Sequence, residues 1–172
     1  MLTGFAALGA GWALPRAGRA HGGRDWLELR SLHTDEECAA PLRDAEGNWL
    51  DTSFARFDWL LRDHRNDAVC AMSRPLLQQL VELAALVGVE ARYEVISGYR
   101  SPQTNAALRS AGRGVAEHSL HTQGMAIDVR LRGVACAELR DAALLAARGG
   151  VGYYARPEFV HLDVGRVRAW TG

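Results

Sequence analysis

At 172 residues with 48% hydrophobic positions, the chain is long enough for one domain with a substantial core. Twenty basic and twenty acidic residues give a formal net charge of zero, so charge supplies no basis for a nucleic-acid partner or an anionic membrane surface. Cys38, Cys70 and Cys136 are odd in number and contain no C-x-x-C pair. They fit one disulfide with a free thiol, or three reduced thiols.

From the N-terminus, Leu2 to Leu14 are apolar or small, and the first basic residue is Arg16. The run is too short to span a membrane and matches the apolar region of an export signal. The expectation is a signal over residues 1–20, lacking its basic leader, cut after Ala20 or Ala17, then one domain over 21–172. Leu27, Leu29 and Ser31 alternate as in a strand; Thr34–Glu37 is a turn, and a hairpin partner follows near Cys38–Leu42. After a second turn at Asp44–Asn48, Asp51 caps a helix running to about His64, with Phe54, Phe57, Leu60 and Leu61 at helical spacing. Ser73 caps the next helix, with Pro75 in its first turn and an apolar stripe from Leu76 to Val87 ending at Gly88. A strand at Tyr93–Ser97 delivers Gly98-Tyr-Arg100-Ser-Pro into a loop, and Gln103–Ala111 and Cys136–Ala147 are helical. Gly149-Gly-Val-Gly152 lacks the Lys-Ser/Thr ending of a phosphate loop and reads as a tight turn into the last strand. The summary is an α+β domain with helices packed on one side of a sheet.

Two strands carry the chemistry. Met125, Ile127, Val129 and Leu131 form one apolar row, which leaves Asp128 on the other face. In the later segment Val160, Leu162 and Val164 form the row, and Phe159, His161 and Asp163 share the opposite face. Paired in one sheet, these strands bring Asp128 and His161 onto a common surface. His121 sits on the loop entering the first of them, with Gly124 permitting a sharp turn. Two histidines and a carboxylate form a three-ligand zinc set, which leaves a fourth position open for water, the hydrolytic arrangement.

Arg100, in a loop just past a strand end, is a candidate to hold a substrate carbonyl or carboxylate and stabilise the oxyanion. Two carboxylates are candidates for the general base. Glu158 stands three residues before His161, and Asp163 shares its strand face, where a place behind the metal ligands is the alternative. His118 is a candidate for substrate orientation or a hydrogen-bonded surface residue; His21, His33 and His64 belong to no constellation.

Ser119-Leu-His121-Thr-Gln-Gly124-Met-Ala-Ile-Asp128 resembles the S-x-H-x-x-G-x-A-x-D signature of the D-Ala-D-Ala metallopeptidase superfamily, which includes the hedgehog-type domain. More narrowly, Ser97-Gly-Tyr-Arg100-Ser, Gly114 to His121, Gly149 to Tyr154 and Phe159 to Trp170 resemble the YcbK-like (MepK-like) murein endopeptidases. The resemblance runs from about Trp26 to Trp170 and implies a mainly antiparallel sheet of the hedgehog type. It implies that His121, Asp128 and His161 bind zinc and that peptidoglycan peptide cross-links are the substrate, acted on in the periplasm. It places Arg100 in the active-site region, and relatives often carry a twin-arginine export signal. The Glu158-x-x-His161 spacing resembles the catalytic pair of the carboxypeptidase branches, so a D,D- or L,D-carboxypeptidase is the second reading. The third is a catalytically silent module that binds cell-wall peptide. No stable membrane insertion is expected after signal removal.

Overall fold

The structure, a computed structural model, describes residues 25–112 and 114–172. The expected export signal lies outside the described residues. The Leu27/Leu29 alternation forms β1 (Trp26–Ser31), paired antiparallel with β2 (Glu37–Pro41). Helix α1 (Asp51–Leu60) has Asp51 in its first turn, where a carboxylate complements the helix dipole, but Leu50 is its N-cap. It ends four residues before His64. The chain leaves the helix there so that Asp63 can bridge to Ala68 and bury its carboxylate against Ser101.

Helix α2 (Arg74–Val87) has Ser73 at the N-cap position, Pro75 in its first turn and Gly88 at φ 82° as a left-handed stop. Next come β3 (Arg92–Ser97) and α3 (Pro102–Ser110), where the Ser101 side chain accepts the Thr104 N–H as a helix cap. Then follow β4 (Ala126–Leu131), α4 (Cys136–Ala146), β5 (Gly150–Tyr154), β6 (Phe159–Asp163) and β7 (Arg168–Thr171).

The seven strands form one sheet in the order β2-β1-β3-β4-β6-β5-β7. Four pairings are antiparallel, while β1–β3 and β5–β7 are parallel. Helices α1, α2 and α4 cover one face. Leu27, Leu29, Tyr93, Val95, Ile127 and Val160 point into that core, each almost wholly out of water. At about 1.5–3 kcal/mol for each large apolar side chain buried, this layer is the main source of stability. The three cysteines are free thiols, with Cys38 buried in the core.

The sheet differs from the sequence expectation at one end. Gly149-Gly-Val-Gly152 is not a tight turn: from Gly150 it is strand β5, and β7 beyond Asp163 extends the sheet further. Its glycines are small because of what crosses them. A Cβ on Gly150 would lie 2.5 Å from the Arg168 guanidinium, and one on Gly152 would lie 2.6 Å from the Trp170 ring. Gly152→Val is therefore expected to cost about 1–3 kcal/mol by overpacking. An unchanged urea midpoint would show that Trp170 does not depend on that gap.

Candidate metal centre

The uncovered face of the sheet carries the site, and strand register assembles it. Asp128 on β4 lies directly opposite His161 on β6, and His161 lies opposite Gly152, which neighbours Trp170. Ser97 on β3 pairs with Asp128 across an irregularity in the ladder. One transverse row thus reads Ser97, Asp128, His161, Gly152, Trp170. His121 comes from a short 3-10 turn, Leu120–Gln123, closed by Gly124 at φ 66°. A side chain at Gly124 would also run into the Ala71 carbonyl at 2.5 Å, so glycine is required there on two counts.

Three donor atoms converge. His121 Nε2 is 3.3 Å from Asp128 Oδ1 and 3.2 Å from His161 Nδ1, and His161 Nδ1 is 2.8 Å from Asp128 Oδ1. Zinc bonded at about 2.0–2.1 Å in a tetrahedron separates its ligands by about 3.3 Å, so the triangle is the right size. The outward ring nitrogens fix the aim of both imidazoles. His121 Nδ1 donates to the Gly98 carbonyl at 2.7 Å, and His161 Nε2 donates to Asp163 Oδ2 at 3.1 Å. Each ring therefore turns the lone pair of its other nitrogen toward the triangle.

Asp163 is itself held. Its Oδ1 accepts the N–H groups of Gly150 and Gly165 at 2.9 and 2.8 Å, and Arg168 spans both oxygens at 3.1 and 2.7 Å. Burial alone would raise its pKa, but these donors and His161 keep the carboxyl well below the usual range. Asp128 behaves alike: burial is outweighed by His121, His161 and Arg100, so it stays ionised. Burial opposes protonation at His161, yet Asp128 and Asp163 raise its pKa; at His121, wholly enclosed, desolvation prevails and lowers it. Arg100 is nearly buried, donates through Nε to Ser97 Oγ at 2.8 Å and pairs with Asp128 Oδ2.

The triangle forms the floor of a cleft of about 720 Å³, its open side facing solvent. One wall is aromatic: Tyr154 stacks on Phe159 with centroids 4.5 Å apart, and the Trp170 ring lies 5.1 Å from that of His161. Arg100 and His118 line the cleft, with His118 exposed. Glu158 does not. It is exposed, has φ 52°, and lines a separate depression with Glu94, Arg130 and Cys136. The chain has not yet entered the strand at Glu158, and Arg130 holds the turn by donating to the carbonyls of Pro157 and Glu158.

His33 and His64, which the sequence left unconnected, stack at 3.9 Å, with His33 at the cleft wall. Burial, followed by the neighbouring cations, pushes the His64 pKa down to about 4. The neutral ring favours the fold, so its contribution is complete above the ordinary value near 6.5 and is lost as pH falls from there through about 4. Between pH 7 and pH 4 the wild type is expected to lose more stability than His64→Gln. Parallel urea midpoints for the two proteins would contradict this.

Two imidazoles and a carboxylate at the floor of an open cleft, each aimed by a partner behind it, define the centre of a metallohydrolase. The family described as Peptidase M15, peptidoglycan L,D-endopeptidase MepK, matches residues 19–170, and the chain belongs to that family. It is 41% identical over 144 residues to the peptidoglycan L,D-endopeptidase MepK of Escherichia coli K12, covering 84% of this chain and 79% of the relative. It is 38% identical over 147 residues to the probable peptidoglycan L,D-endopeptidase MepK of Haemophilus influenzae, covering 85% and 78%. No solved structure matched with significance.

Proposed function

We propose that the chain is a zinc-dependent murein endopeptidase that hydrolyses L,D cross-links between peptidoglycan stem peptides. The carrying observation is the donor triangle, of zinc dimensions and mixed nitrogen–oxygen character, in a chain of this family. Zinc held by His121, Asp128 and His161 would polarise the scissile carbonyl and bring the pKa of water in its open position to about 7. Arg100, beside Asp128, is placed to steady negative charge on the carbonyl oxygen. Asp163 keeps His161 in the tautomer and orientation that ligation needs; with Arg168 and two backbone N–H groups on its oxygens, it is an orienting residue.

Proton transfer is the part for which the two carboxylates fit least well, since Asp163 is fully engaged and Glu158 lies outside the cleft. Glu158→Gln is accordingly expected to change turnover far less than the ~10²–10⁴-fold that removing a general base costs. A loss of that size with metal retained would return Glu158 to the catalytic role.

The substrate reading implies export to the periplasm. Among the described residues no helix is long and apolar enough to cross a membrane. Digestion of purified sacculi by the zinc-loaded protein, with muropeptides identified by mass, tests the reaction. Disappearance of dimers joined through two diaminopimelate residues is the expected result. Release of single terminal residues would instead show a carboxypeptidase, and sacculus binding without products a recognition module.

A further inference from the structure

We infer that Arg65 recognises a substrate carboxylate beside the bond to be cut, and so sets specificity in this cleft. The inference rests on the endopeptidase reading above. Every basic residue of the chain other than histidine is an arginine. Three of them line the cleft: Arg65, Arg100 and Arg168. Arg100 is engaged by Asp128 and Ser97, and Arg168 by Asp163. Among the described residues Arg65 has no carboxylate partner and no side-chain hydrogen bond; its backbone N–H donates to Asp63 Oδ1 at 3.2 Å. Its neighbour Arg62, by contrast, is taken up by Glu36 and Asp67.

Among the described residues the cleft lining holds three guanidinium groups and one carboxylate, Asp128. With Arg100 paired to Asp128 and Arg168 to Asp163, the guanidinium charge left uncompensated in the cleft, among the described residues, is that of Arg65. Arg65 and Arg100 line the same cleft, and burial together with the like charge of Arg65 lowers the pKa of the deeper guanidinium. An anion between them would relieve that repulsion.

The turn that presents Arg65 is rigidly placed. The Asp63 N–H donates to the Ala68 carbonyl at 2.9 Å, and the Asp67 N–H returns to the Asp63 carbonyl at 2.8 Å. Asp63 is buried, and its Oδ2 accepts both the N–H and the hydroxyl of Ser101, at 2.9 and 2.7 Å. Asn66 Nδ2 adds a bond to Ser101 Oγ at 2.9 Å. Ser101 follows Arg100 in sequence, so one polar clasp fixes the turn of Arg65 to the loop of Arg100. A carboxylate held by the Arg65 fork then sits at a set offset from the metal donors, with little backbone ordering on binding. Cross-linked stem peptides offer such a group in two places, on diaminopimelate and at the end of the stem.

The test uses a purified dimer joined through two diaminopimelate residues, and two derivatives in which one or the other carboxylate class is converted to a primary amide. For the wild type, amidating the recognised carboxylate should raise KM roughly 10- to 100-fold with kcat little changed. Arg65→Ala should raise KM for the parent dimer by a similar factor and lose the response to that amidation. Arg65→Lys, which keeps the charge but not the fork, should fall between. Arg65 is exposed and without a side-chain partner, so these variants are expected to keep the wild-type melting temperature. Equal sensitivity to amidation in wild type and Arg65→Ala, or a wild type indifferent to both amidations, overturns the role of Arg65 alone. A wild type that cleaves none of the dimers overturns the endopeptidase reading, and this inference with it.

Discussion

His121→Ala is expected to abolish stoichiometric zinc binding and to lower cross-link hydrolysis by ~10³-fold or more. The metal's charge stabilisation is worth several kcal/mol, and each 1.4 kcal/mol is tenfold in rate. The direction follows from the donor triangle: removing Nε2 leaves Asp128 and His161 as two donors, one short of the three that a catalytic zinc site uses. A graded companion separates ligation from packing. Asp163→Asn keeps all three donors but weakens the acceptor on His161 Nε2, so zinc affinity should fall about 10- to 100-fold. Added zinc should then restore most of its activity, which it cannot do for His121→Ala. Zinc content by elemental analysis, beside turnover on muropeptide dimers, reads both. Full zinc occupancy in His121→Ala would move the metal elsewhere.

Arg100→Ala is the second large effect, an expected ~10²- to 10³-fold loss in kcat with zinc still bound. The guanidinium is nearly buried, braced by Ser97 and charge-paired with Asp128, so in the proposed mechanism it stands where negative charge would develop on a carbonyl beside the metal donors. Because the pair is buried, removing one partner also leaves Asp128 less compensated. Arg100→Lys controls for this: it restores a positive charge but not the planar fork, and should recover stability more than kcat. A rise in KM at constant kcat would make Arg100 a binding group acting equally in ground and transition states.

Local pattern accounts for most of the elements. Period-two alternation located β1, β4 and β6, the Ser73 cap and Gly88 stop located α2, and α3 and α4 were placed to within a residue. The end of α1 was misplaced because Asp63 serves a partner 38 residues away, which no helical periodicity can register. Strand β5 read as a turn because its glycines answer to Arg168 and Trp170 on β7, a strand too short and too charged to stand out.

His121, Asp128 and His161 were legible in the sequence as a candidate donor set. Parity places Asp128 and His161 on one face each, and the spacing around Gly124 places His121 at the entrance of β4. Strand alternation is a local steric property, and the donor types are written in the residues. What stands behind these donors, and what surrounds them, emerges only when distant segments meet in the fold. Asp163 is taken up by five donors from β5, β6, β7 and the loop after β6, and Glu158 falls outside the cleft because the strand begins after it. Composition gives only a net charge of zero, whereas folding brings Arg65, Arg100 and Arg168, among the described residues, to one cleft. Charge sums over a sequence, but binding responds to charge within a few ångströms.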